Sequence, residues 1–118
     1  MNKRQVGSDW EQHVTKMLSE NGYQILAQNY RCRRGEVDII ANKDGYLVFI
    51  EVKQRSSAAT GLPLEAVNDK KQKKISTVCA YYLMEHNLSM DTPVRFDVVS
   101  ILGHKIQVIE NAFEYRFS

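Results

Sequence analysis

Gly35-Glu36-Val37-Asp38-Ile39-Ile40-Ala41-Asn42-Lys43-Asp44-Gly45-Tyr46-Leu47-Val48-Phe49-Ile50-Glu51-Val52-Lys53 decides the fold. Two apolar, β-branched runs flank Asp44-Gly45, the pair preferred in a two-residue type I′ hairpin turn. That loop pairs Lys43 with Tyr46, Ala41 with Val48 and Ile39 with Ile50. Continued inward, it sets Asp38 opposite Glu51, Val37 opposite Val52 and Glu36 opposite Lys53. Strand side chains alternate faces, so Glu51 and Lys53 share one face, and this register adds Asp38 to it. A one-residue slip would separate the two acids. A four-residue loop would keep them together but place Glu36 across from Glu51.

Like charges directly opposite one another cost a sheet roughly 0.2–1 kcal/mol, and more when desolvated. A cation between them removes the penalty. Two carboxylates with an adjacent ammonium are the minimal set for holding Mg²⁺ against a phosphate. The competing reading is a solvated face, with Glu36 and Lys53 as a cross-strand ion pair and Asp38 and Glu51 as ordinary exposed positions. The same face carries Ile40, Leu47 and Phe49, and charges set among large apolar residues favour a site.

The 118 residues fit one domain with a modest core. Sixteen basic and fourteen acidic residues leave a net charge of +2, so overall charge does not mark a nucleic-acid binder. The positive charges are clustered, however. Arg31, Arg33 and Arg34 precede the acidic strand, and Lys70, Lys71, Lys73 and Lys74 crowd the start of a later helix. Each cluster reads either as a solvated surface or as a track for a phosphate backbone. Cys32 and Cys79 have no metal-ligand spacing and point to a reducing compartment. No signal-peptide pattern or membrane-length apolar run is present, so a cytoplasmic protein is expected.

Outward from the hairpin, Ser8 to Ser19 reads as a helix with Trp10, Val14, Met17 and Leu18 on one stripe, ended by Gly22. Tyr23 to Tyr30 reads as a strand with Tyr23, Ile25 and Ala27 alternating inward. Gln54 to Pro63 reads as a loop and Leu64 to Val67 as a short helical turn. Asn68 caps a helix running to His86, with Ile75, Val78, Cys79, Tyr82 and Leu83 buried. Val94–Ile101 and Ile106–Ile109 read as strands joined at Gly103-His104. The order α-β-β-β-α-β-β fits a mixed sheet flanked by helices, with the second helix as a crossover to a parallel strand. Arg95 and Asp97 share a strand face and read as a structural ion pair. The three histidines read as surface residues, and Trp10 and Phe113 as core.

Glu11 lies about 100° from Trp10 and about 20° from Leu18 around the helix, at the edge of the buried stripe. It can reach toward the sheet. It also fits a capping box, Ser8-Asp9-Trp10-Glu11, bonding back to the Ser8 amide.

Several segments together resemble one family. They are Gly7-x-x-x-Glu11, Gly22-Tyr23-x-Ile25-Leu26, Asn29-Tyr30-Arg31, Gly35 to Ala41, Val48 to Lys53 with Arg55, Glu65-Ala66-Val67 with Lys71, Arg95 to Val99, and Asn111-Ala112-Phe113. The chain resembles the YraN-like family, which is similar to archaeal Holliday-junction resolvases and belongs to the PD-(D/E)XK nuclease superfamily. The resemblance spans nearly the whole chain. It implies an α/β restriction-endonuclease-like core, a mixed central sheet flanked by helices.

It further implies that Asp38, Glu51 and Lys53 match the catalytic triad and Glu11 the helix acid of resolvase-type members. Val37 stands where the superfamily's proline would be. The expected activity is metal-dependent hydrolysis of phosphodiester bonds in DNA, including branched DNA in recombination or repair. Asp38, Glu51, Glu11 and the Val52 carbonyl would hold Mg²⁺ or Mn²⁺. Lys53 would orient water or stabilise developing charge, with Glu36 as an outer partner. Arg33, Arg34, Arg55, Lys70, Lys71 and Lys74 would contact the backbone. A homodimer is expected by analogy, and a recombination or repair protein is a candidate partner. The alternatives are a non-catalytic nucleic-acid-binding or adaptor module, and a phosphodiesterase with a closed small-molecule pocket.

Overall fold

The computed structural model describes residues 3–55 and 67–115, with backbone alone at 3–10 and 55. Helix α1 (Lys3–Glu20) precedes strands β1 (Gln24–Cys32), β2 (Gly35–Lys43) and β3 (Tyr46–Arg55). Helix α2 (Asp69–Glu85) leads to β4 (Val94–Leu102) and β5 (Lys105–Phe113). The strands form one five-stranded sheet in sequential order. β3 and β4 are parallel and all other neighbours antiparallel. This is the expected mixed α/β sheet, with α2 as the crossover that parallel pairing requires.

Local chemistry accounts for the boundaries. The Asp44-Gly45 turn has positive φ at both residues, 52° and 84°, as a type I′ hairpin requires. It fixes the pairs Lys43–Tyr46, Ala41–Val48 and Ile39–Ile50. At the end of α1, Gly22 (φ 91°) allows the Tyr23 amide to reach the Leu18 carbonyl at 3.0 Å and the Gly22 amide to reach Ser19 at 3.2 Å. That is a Schellman closure, and Tyr23 and Leu18 pack in one core. α1 begins at Lys3, so Ser8 lies inside the helix and the expected capping box is absent. Asn68 caps α2, its side-chain oxygen accepting the Lys71 amide at 3.0 Å.

One core lies on each face of the sheet. Ile75, Val78, Cys79, Tyr82 and Leu83 of α2 pack on Ile40, Leu47, Phe49 and Phe96. Val14 and Leu18 of α1 pack on Ile39, Val48, Ile50, Val52 and Val99. β1 departs from the expected alternation. A register shift between Ile25 and Ala27 turns Ala27 to the α2 side while Tyr23 and Ile25 stay on the α1 side. β5 extends well beyond Ile106–Ile109, and Phe113 stacks on Phe96 at 4.9 Å between ring centroids.

Arg95 and Asp97 form the expected ion pair, with two hydrogen bonds of 2.9 and 2.8 Å. Asp97 is fully buried and also accepts from the Tyr23 hydroxyl (2.7 Å) and the Asn111 amide (2.9 Å). The Asn111 bond bridges a shift in the β4–β5 ladder between Phe96 and Val98. Both cysteines are free thiols. The three histidines are exposed. Among the described residues no helix is long and apolar enough to cross a membrane. Gln54 and Arg55 belong to β3 rather than to the expected loop, whose remainder (56–63) lies outside the described residues with most of the expected 64–67 turn.

Candidate functional site at the β2–β3 fork

Pairing between β2 and β3 runs from the turn to Ile39–Ile50 and stops there. The expected continuation to Asp38–Glu51 and Glu36–Lys53 does not form. Instead the Asp38 carboxylate turns into the gap and accepts the Val52 amide at 2.7 Å. A side chain thus satisfies a strand amide that a carbonyl would otherwise take. The alternation of β2 also breaks here. Val37 packs in the α2-side core and Ile39 in the α1-side core. Asn29 is left-handed at φ 54° within β1, and it faces Asp38 between the pairs Gln28–Ile39 and Tyr30–Val37. Both partners of that rung are distorted, and the distortion aims Asp38 at the fork.

Glu51 is 6% exposed on the α2 side. Lys71, from the first turns of α2, meets it at 3.3 Å. Burial and then the negative charge of Asp38 push the Glu51 carboxyl up to about 6, against the pull of Lys71 and Lys53. Burial also raises Asp38, opposed by the Val52 amide and Lys71 and reinforced by the charges of Glu36 and Glu11. Two carboxylates are therefore held together at an electrostatic cost that neighbouring cations only partly offset. Lys53 is half-buried and close enough to Glu51 to lower it.

A cavity of about 60 Å³ lies on the α1 side of the fork, lined by Glu11, Thr15, Gln28, Asn29, Asp38 and Val52. Its wall mixes these polar groups with apolar surface from Ile39 and Val52, and it is wide enough to admit water. Glu11 accepts the Asn29 amide nitrogen at 3.3 Å. Glu11 therefore faces the site but stands across the cavity from Asp38. Among the described residues no three His, Cys, Asp or Glu side chains are grouped as an ion-enclosing set. The residues that could hold a hard cation are Asp38 and Glu51, with the Val52 carbonyl and Glu11 as further oxygen donors.

The basic residues divide. Arg31, Glu36, Lys71 and Lys74 line a groove beside the β1–β2 turn together with Cys32 and Gly35, and Lys71 links it to Glu51. Glu36 pairs with Arg31 at 3.1 Å rather than with Lys53, because β2 has left β3 by that point. Arg33 and Arg34 are exposed in the turn, and Lys70 and Lys74 are exposed on α2. The Arg55 side chain lies outside the described residues. A wider groove lies elsewhere, on the outer face of α2 by Tyr81, Met84, Leu88 and Met90, and no acid lines it.

Sequence reading missed the Lys71–Glu51 pair and the part played by Asn29. A signal for the first exists. Lys71, Ile75, Val78 and Tyr82 follow the i, i+4, i+7, i+11 spacing of one helix face, so Lys71 continues the buried stripe toward the sheet. For the second, asparagine's tolerance of the left-handed region is the one local signal in Asn29-Tyr30-Arg31.

The span holding these residues has many counterparts. A UPF0102 protein of Lachnoclostridium phytofermentans is 50% identical over 97% of both chains. Another, from Clostridioides difficile, is 43% identical over 96% of this chain and all of its own length. A third, from Caldicellulosiruptor bescii, is 47% identical over 96% and 100%. A solved structure named "Crystal structure of SSO0001" overlaps 90% of this chain and 50% of its own at 18% identity, with a TM-score of 0.46. The family model described as "Uncharacterised protein family UPF0102" matches residues 10–101, from α1 to the end of β4. That span takes in Glu11, Asp38, Glu51, Lys53 and Lys71, and with identities of this size along the whole chain, the protein belongs to the UPF0102, or YraN-like, family.

Proposed function

We propose that this chain is a metal-dependent nuclease that hydrolyses phosphodiester bonds in DNA. One observation carries the reading: half-buried Asp38 and buried Glu51 stand at one strand fork, close enough for the charge of Asp38 to raise Glu51, both with raised carboxyls and with Lys53 and Lys71 near Glu51. A fold gains no stability from that arrangement. It gains a hard-oxygen donor set.

The donor set fits Mg²⁺ or Mn²⁺, held by Asp38, Glu51 and the Val52 carbonyl. Such a cation would supply charge neutralisation at the phosphate and a more acidic water. The chain's own groups do the positioning. The Val52 amide fixes Asp38. Lys53 is placed to donate to a non-bridging phosphate oxygen or to a water as charge develops. Glu11, held by Asn29, would contribute to such a cation's shell through water. The groove by Arg31, Lys71 and Lys74 supports a polynucleotide rather than a closed small-molecule pocket.

The test is cleavage of a labelled four-way junction beside linear duplex and single strand, in Mg²⁺ or Mn²⁺, with Lys53→Ala and Asp38→Ala. Metal-dependent cutting that both variants lose is the expected result, and the preferred substrate would define the role in recombination or repair. DNA binding without cutting of any substrate would replace this reading with the adaptor module.

A further inference from the structure

Lys71 belongs to two places at once. Its amine is 3.3 Å from the buried Glu51, and its stem lines the groove with Arg31 and Lys74. The groove exists because Gly35, at φ 143°, lets the β1–β2 turn approach α2, where a Cβ would come within 3.0 Å of Lys74. A lysine carries its charge on a flexible stem and can move between acid and groove without backbone motion. Its side chain is about one-third exposed, so the groove side is open to it.

We infer that Lys71 is a placeholder cation, which neutralises Glu51 in the free protein and passes to a backbone phosphate in the groove when a divalent cation takes Glu51. The inference rests on the nuclease reading for the cation and the phosphate. It adds that the two bind cooperatively through one residue. With the metal absent, Lys71 is committed to Glu51 and the groove keeps only Arg31 and Lys74 as its cations. With the metal bound, Mn²⁺ and Lys71 repel each other, and the released ammonium strengthens phosphate binding. Linkage requires that DNA tighten Mn²⁺ binding by the same factor.

The experiment measures Mn²⁺ binding by calorimetry at about pH 8, with and without a non-cleavable phosphorothioate duplex, for wild type, Lys71→Gln, Lys71→Arg and Lys73→Gln. Removing the competing charge makes Lys71→Gln bind Mn²⁺ about tenfold more tightly in the absence of DNA. The same variant loses the tightening that DNA confers on wild type. Lys71→Arg keeps the coupling, and Lys73→Gln, which does not line the groove, keeps the wild-type Mn²⁺ affinity. Lys71→Gln that binds Mn²⁺ as wild type does, or keeps full coupling, overturns the inference and leaves the nuclease reading standing. Failure of wild type and Lys71→Gln alike to bind Mn²⁺ overturns both. If Lys71→Gln does not fold, a coupling factor in Lys71→Arg equal to one overturns it.

Discussion

Glu51 is the residue at which this fold and its site conflict most directly, and the conflict is measurable. Its carboxyl rises from 4.5 to about 6 on folding. At about 1.4 kcal/mol per pH unit, ionised Glu51 costs the folded protein about 2 kcal/mol, with the help of Lys71 and Lys53 already included. Between pH 4.5 and about 6 the folded state holds more protons than the unfolded state. Stability therefore falls as pH rises through that window, and the full penalty is present above it. Below the lower value both states are protonated and the penalty is absent.

Glutamine has the shape of the protonated acid and cannot ionise. Glu51→Gln is expected to be about 2 kcal/mol more stable than wild type at about pH 7.5, and equal to it at about pH 4. With a urea slope of about 2 kcal/mol/M, the midpoint moves by about 1 M at the higher pH. Paired urea titrations at the two pH values read this directly, because titration of other groups cancels between variant and wild type. A variant that is less stable at neutral pH would mean that the Lys71 ion pair outweighs burial. A gain that persists at low pH would mean that packing, not charge, sets it. Either result refutes the electrostatic account of the fork.

Asp97→Ala removes the buried acceptor shared by Arg95, the Tyr23 hydroxyl and the Asn111 amide, leaving Arg95 and Tyr23 only the more distant Glu110, and should cost about 3–5 kcal/mol by denaturant unfolding. Gly35→Ala puts a side chain at φ 143° against Lys74 and should cost about 1–3 kcal/mol in the same assay. Asn68→Ala removes the α2 cap and should cost about 1 kcal/mol, seen as a lower melting temperature.

The hairpin register was legible because its determinants lie within a few residues of one another. Asp44-Gly45 selects the turn, and the turn selects Ile39 against Ile50. The bounds of α2 were legible for the same reason, through Asn68 and the apolar stripe. The Arg95–Asp97 pair follows from strand alternation alone. The Glu36–Lys53 pairing failed beyond Ile39, where the strands separate. That separation reflects Asn29 across the rung and the packing of Val37 toward α2, neither of which the hairpin encodes.

The sequence by itself determined which elements form, in what order, and which strand positions carry acids and a lysine. These depend on propensity, turn chemistry and period, and all three are local. Only the tertiary structure decided what each charged group meets. Asp38 takes the Val52 amide 14 residues on, Asn29 holds Glu11 across 18, and Tyr23 reaches Asp97 across 74. Lys71 comes to Glu51 only because α2 docks on the sheet. Partners so far apart in the chain are chosen by how helices seat on the sheet, and that seating is set by the two cores as wholes rather than by any stretch of residues.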